Sequence, residues 1–113
     1  MWLLTDFGFF SIVKKAGEDE LTVRSRVKSD LEMLKKRYIP DMGNILEHAG
    51  SDYRFRALVS KQALAEAMKH IVLNIDYDNF KKSVAKKQGS KRAAIYGDVW
   101  STLWALDEDK GGK

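Results

Sequence analysis

Leu21-Thr22-Val23-Arg24-Ser25-Arg26-Val27 and, further along, Tyr53-Arg54-Phe55-Arg56-Ala57-Leu58-Val59 are the two stretches on which the fold turns. Leu21, Val23, Ser25 and Val27 alternate with polar residues in the first, and Tyr53, Phe55, Ala57 and Val59 hold every second position in the other. Strand side chains alternate between two faces, so this spacing predicts half-buried β-strands. Each stretch follows a turn, Ala16 to Glu20 in one case and Ala49 to Asp52 in the other, and each turn follows another extended run, Phe9 to Lys15 or Ile45 to His48. Gly17-Glu18-Asp19 and Gly50-Ser51-Asp52 tolerate turn geometry, so two hairpins are predicted.

A helix is expected after each hairpin. Ser29 and Glu32 stand at the spacing of a capping box, Leu31, Leu34 and Tyr38 recur at helical intervals, and Pro40 ends the run. The second helix is expected from Ser60, with Ala63, Leu64, Ala67, Met68, Ile71 and Val72 as its apolar stripe. Neither β-β-α unit could bury its apolar face alone. The expected fold is therefore α+β: one four-stranded antiparallel sheet from two β-β-α units, a ferredoxin-like-type layer with both helices on one face, plus two C-terminal helices. Asp78 is expected to cap the first of these, which carries Phe80 and Val84 and stops at Gly89. The second, opened by Ser90, sets Ile95, Val99, Leu103 and Leu106 on one stripe, with Tyr96, Trp100 and Trp104 beside it. Residues 1–106 read as a single α+β domain, and 107–113, ending Gly-Gly-Lys, as a flexible polar tail.

Composition bounds the function. The 113 residues are 44% hydrophobic with one proline, enough apolar material for a packed core. The absence of cysteine excludes a disulfide framework, thiolate-ligated zinc, an iron–sulfur cluster and a cysteine nucleophile. The longest uncharged apolar stretch, Phe7 to Val13, falls far short of the roughly 18 residues a membrane span needs. No basic residue precedes Lys14, which fits a signal peptide poorly, so a cytoplasmic protein without membrane association is expected.

Catalytic patterns are largely missing. There is no phosphate loop and no G-x-G-x-x-G. His48 and His70 fall in different elements, with no carboxylate at ligand spacing on one helix face. Asp76, Asp78 and Asn79 begin like a calcium loop, but Phe80 and Lys87 stand where ligands are required. A non-enzymatic protein without cofactor or metal is the expectation, a site assembled from distant residues being the exception that sequence does not reach.

Charge points instead to binding. The formal charge is +4, yet Asn79 to Gly97 holds Lys81, Lys82, Lys86, Lys87, Lys91 and Arg92 and no acidic residue; without those six, 14 basic residues face 16 acidic ones. If Val23 and Phe55 look inward, then Thr22, Arg24, Arg26 and Lys28, with Arg54 and Arg56, look to the other side of the sheet. Arginine can clamp phosphate or stack on a base, and an open four-stranded sheet is a platform for single-stranded RNA. A surface of this kind suits an anionic partner, nucleic acid first and otherwise an acidic protein surface, through Arg24, Arg26, Arg54 and Arg56 or through the lysine-rich segment. The alternative is a protein-interaction module, an adaptor, a small inhibitor or a self-associating homo-oligomer, using Tyr96, Trp100 and Trp104.

Trp2-Leu3, Thr5 and Gly8-Phe9-Phe10-Ser11-Ile12-Val13, with Val23-Arg24-Ser25-Arg26, Asp52-Tyr53-Arg54-Phe55-Arg56, Asp76-Tyr77-Asp78-Asn79-Phe80-Lys81, Gln88-Gly89, Tyr96 and Val99-Trp100, resemble a family of short bacterial proteins of unassigned function. The resemblance covers nearly the whole chain. It implies a stand-alone bacterial domain and one structural unit built from the Asp76 to Lys81 turn and the Gln88, Tyr96 and Trp100 face. It implies no catalytic residue.

Overall fold

A computed structural model describes residues 1–107. They fall into two compact units, Met1–Asp76 and Tyr77–Lys113, the second described as far as Asp107. The tail expected over 107–113 lies, apart from Asp107, outside the described residues.

The first unit contains β1 (Trp2–Thr5), β2 (Gly8–Val13), β3 (Leu21–Ser25), α1 (Lys28–Arg37), β4 (Leu46–Glu47), β5 (Phe55–Val59) and α2 (Lys61–Leu73). Its sheet has five strands, not four, in the order β1-β2-β3-β5-β4, and every pairing is antiparallel. The added strand is β1, so three strands precede the first helix and the two β-β-α units are unequal. The order of elements also differs from the β-α-β-β-α-β of a ferredoxin-like layer. Thr5 makes the β1–β2 corner: its Oγ1 accepts from the N–H groups of Phe7 (3.2 Å) and Gly8 (3.0 Å) and donates to the Gly8 carbonyl. The other two hairpins turn at Gly17 and Gly50, whose φ values of 80° and 86° suit glycine and strain other residues.

Register sets the two faces of the sheet. Ile12 stands opposite Val23, and Val23 opposite Ala57. With Phe10 and Val59 these form the core with Leu31 and Leu34 of α1, Leu64 and Ala67 of α2, and Ile39 and Met42 of the following loop. Burial of these apolar groups under two helices is the main stabilising term of the unit.

The two helices of this unit start in different ways. Ser60 caps α2 as expected, accepting from the N–H of Ala63 at 3.0 Å. The capping box at Ser29 and Glu32 does not form: α1 begins at Lys28, Val27 stands at the cap without a side-chain bond, and Ser29 lies inside the first turn. Lys28, expected on the arginine face of the sheet, opens this helix instead. Asp30, on the same turn, is buried, and its Oδ2 accepts from the N–H of Phe9 at 3.0 Å. That bond ties α1 to β2.

The second unit contains α3 (Phe80–Gln88), α4 (Ser90–Leu103) and a short 3-10 helix (Trp104–Leu106), so the two expected C-terminal helices carry a third piece. Asn79, not Asp78, caps α3 by accepting from the N–H of Lys82 at 2.9 Å. Gly89 separates the helices, its N–H donating to the Ala85 carbonyl. The inward stripe of α4 is Ala93 and Tyr96, not Ile95, Val99, Leu103 and Leu106; Ile95, Leu103 and Leu106 are exposed. The reason is aromatic: Tyr96 lies flat on Phe80, with centroids 6.0 Å apart and planes at 4°, and this stack sets the rotation of α4.

Candidate nucleic-acid interface

The sheet face opposite α1 and α2 is built by residues one step out of phase with the core. Trp2 and Ser11 are partners, as are Ser11 and Arg24, and Arg24 and Arg56; Leu46 follows on β4. A line drawn across the strands therefore meets Trp2, Ser11, Arg24, Arg56 and Leu46. Like charges directly opposite on antiparallel strands repel, so the Arg24 and Arg56 pair needs something to hold it.

Tyr53 supplies part of the answer. The chain bends at 51–53 before β5 begins, and Tyr53 comes to lie under the arginines while being almost fully buried. The guanidinium carbons of Arg24 and Arg26 stand 4.5 and 4.9 Å from its ring centre, inside the range of cation–π attraction. Phe9 lies 6.4 Å from the same ring and receives Trp2 edge-on at 5.5 Å. The alternation that places Tyr53 in line with Phe55 and Ala57 thus breaks at the bend: the residue is buried, on the arginine side.

Hydrogen bonds then aim the two head groups apart. Arg24 Nη2 donates to Ser11 Oγ at 2.7 Å. Arg56 Nη2 donates to Ser51 Oγ at 2.9 Å and to the Tyr53 carbonyl at 3.0 Å. Arg26 Nε donates to the Asp52 carbonyl at 3.1 Å. None of Arg24, Arg26 and Arg56 has a carboxylate partner among the described residues. The Nε atoms of Arg24 and Arg56 are buried and have no acceptor among the described residues. Arg54, just before β5, is different, because it pairs with Glu47 of β4, its Nε donating at 2.7 Å, and both side chains are about half exposed.

Three of the four arginines expected on this face are therefore assembled as cations without counter-charge, and the fourth is neutralised by a neighbour. Sequence reasoning missed the parts that hold them: Ser11, Ser51 and Tyr53, with Trp2 and Phe9 alongside. The signal was present in the adjacent pair Phe9-Phe10, which a strand sends to opposite faces, leaving one aromatic on the arginine side.

The lysine-rich segment occupies the second unit. Lys81, Lys82, Lys86, Lys87 and Lys91 are exposed on α3 and the start of α4, and Arg92 is partly buried, its Nη1 donating to the Tyr96 hydroxyl at 3.4 Å. Tyr96 belongs to the packed interior of the helical pair, while Trp100 and Trp104 are exposed with their rings 5.3 Å apart. Of the three aromatics expected at an interface, two are on the surface.

Among the described residues no group of three His, Asp or Glu side chains is placed to hold a metal ion, and no helix is long and apolar enough to cross a membrane. The chain matches no family profile, no curated protein and no solved structure.

Proposed function

We propose that this chain is a non-enzymatic binding module for single-stranded nucleic acid, with Arg24, Arg26 and Arg56 engaging phosphates and the exposed ring of Trp2 offering a stacking surface. The observation that carries this reading is the opposed Arg24 and Arg56 pair, whose buried Nε–H groups lack acceptors and whose charges lack carboxylates. Burying a cationic donor without an acceptor is costly, and a phosphate oxygen that reaches either Nε–H relieves that cost. Trp2 is 65% exposed and braced by Phe9, as a base-stacking aromatic must be. The Lys81 to Arg92 segment of the second unit offers its own sequence-independent attraction for polyanions.

The test is fluorescence anisotropy with mixed-sequence single-stranded oligonucleotides across a salt series. The intact chain is expected to bind at low salt with affinity falling steeply as salt rises. Replacing Arg24 and Arg56 together by Ala removes two phosphate contacts, so the slope of log affinity against log salt is expected to shrink by about 1.4. Undetectable binding at the lowest salt overturns the reading.

A second reading rests on Trp100 and Trp104, which are 60% and 44% exposed and in mutual contact. Adjacent surface tryptophans on a helix are what an anchor for another protein requires. In that case sedimentation should show self-association that Trp100→Ala and Trp104→Ala abolish; a strict monomer whose tryptophans are no more reactive than buried ones removes the self-association form of this reading.

A further inference from the structure

We propose that the first unit carries a second site, which shares only Arg56 with the arginine surface: a pocket for the phosphate group of a small molecule, at the end of the sheet near the β2–β3 turn. It needs no nucleic acid and stands whether or not oligonucleotides bind. The pocket has a volume of about 390 Å³, which lies in the range of small-ligand sites. Its polar lining comes from six positions: Lys15 and Glu18 beyond the end of β2, Thr22 on β3, Arg56 on β5, and Asn44 and His48 on either side of β4. Register explains the convergence, since Val13 pairs with Thr22, Thr22 with Leu58, and Leu46 with Arg56, and one strand face carries all of them.

Two features of the floor point to an anion. Thr22 is 3% exposed, and its Oγ1 is buried without a hydrogen-bond partner although it lines the pocket. Arg56 contributes a buried Nε–H that also has no acceptor. A hydroxyl in a strand interior can turn its proton toward a ligand, and a guanidinium N–H on the same lining is a donor of fixed direction. Lys15 adds a second full positive charge, and His48 and Asn44 bring further N–H donors. Glu18 is the one carboxylate of the lining, so the fixed charge of the pocket is positive. Several donors on one lining suit an oxyanion with three or four acceptor oxygens. Leu46 and Leu58 make an apolar wall beside them, where the carbon skeleton of a phosphate ester would rest.

The source of the phosphate is separated by the probes. Calorimetric titration of the whole chain uses inorganic phosphate, ribose 5-phosphate and ribose. Both phosphates are expected to bind saturably and ribose not at all; a sugar phosphate that binds more tightly than inorganic phosphate assigns the site to an ester, and the reverse order assigns it to the free ion. Thr22→Val exchanges the hydroxyl for a methyl of similar size and is expected to weaken phosphate binding about tenfold or more, while Thr22→Ser, which keeps a hydroxyl, is expected to bind like the original. Glu18→Gln is expected to tighten it. Absence of saturable binding by either phosphate at millimolar concentration overturns the site, as does a Thr22→Val protein that binds like the original. Should Thr22→Val fold poorly, Lys15→Ala takes its place: the position is exposed and folding does not need it, binding is expected to weaken, and unchanged binding overturns the site.

Discussion

Phe10→Ala is expected to lower the stability of the first unit by about 3 to 5 kcal/mol, read as a large drop in the urea midpoint. Phe10 has no exposed surface, its ring lies 5.8 Å from that of Phe7, and it belongs to the cluster that holds Leu31 and Leu34 against the sheet. Removing the ring loses its transfer free energy and leaves a void that neighbours on a helix and two strands cannot close. Folded domains are stable by only about 0.05 to 0.15 kcal/mol per residue, so a unit of this size retains little after that loss. Its neighbour Phe9 gives the control. Phe9 is half-buried on the opposite face, and the same truncation there is expected to cost much less while weakening the seat of Trp2. Equal effects at the two positions would refute the assignment of faces.

The second large effect is expected from a single added carbon. In Gly8→Ala the new Cβ would sit 2.9 Å from Cβ and Cγ of Asp30 and from Cζ of Phe10, closer than real contacts allow. Gly8 has no positive φ, so the penalty is steric and not conformational. Asp30 and Phe10 are both fully packed and cannot swing away, so overpacking of about 1 to 3 kcal/mol is expected. Retreat of Asp30 would also lengthen its 3.0 Å bond from the Phe9 N–H and leave a partly buried donor unsatisfied, which adds a further cost. Loss of hydrogen-exchange protection at the Phe9 amide, together with a lowered urea midpoint, is the measurement. A variant as stable as the original would show that α1 does not press on β2 here.

The same residues mark how far a reading of sequence reaches. The alternation of Val23, Ala57 and Val59 against Arg24 and Arg56 is legible, because a buried face imposes period two on every strand that borders it. The strand β1 is not. Trp2 to Thr5 is four residues long, and its turn is made by a threonine side chain in place of the usual glycine or asparagine pair. Ser29 and Glu32 have cap spacing, yet the bond from Asp30 to β2 fixes where α1 begins, and tertiary contact outweighs the local signal. The one-residue shift from Asp78 to Asn79 is of the ordinary size for helix ends. In α4 the apolar stripe misleads because a ring stack with Phe80, not the sum of aliphatic positions, chooses the inward face. The arginines of the candidate interface follow from strand phase, but their supports do not. Ser51 and Tyr53 reach them through a bend that no periodicity announces.

The antiparallel order of the sheet also has a kinetic side. The β1–β2, β2–β3 and β4–β5 ladders join segments close in sequence and can zip from their own turns, whereas the β3–β5 ladder joins Leu21 to Val59 and Ser25 to Phe55 across the whole of α1 and β4. Loop-closure entropy is therefore concentrated in that one seam. The slowest search is expected there, so the two halves of the arginine surface would come together only as the seam closes.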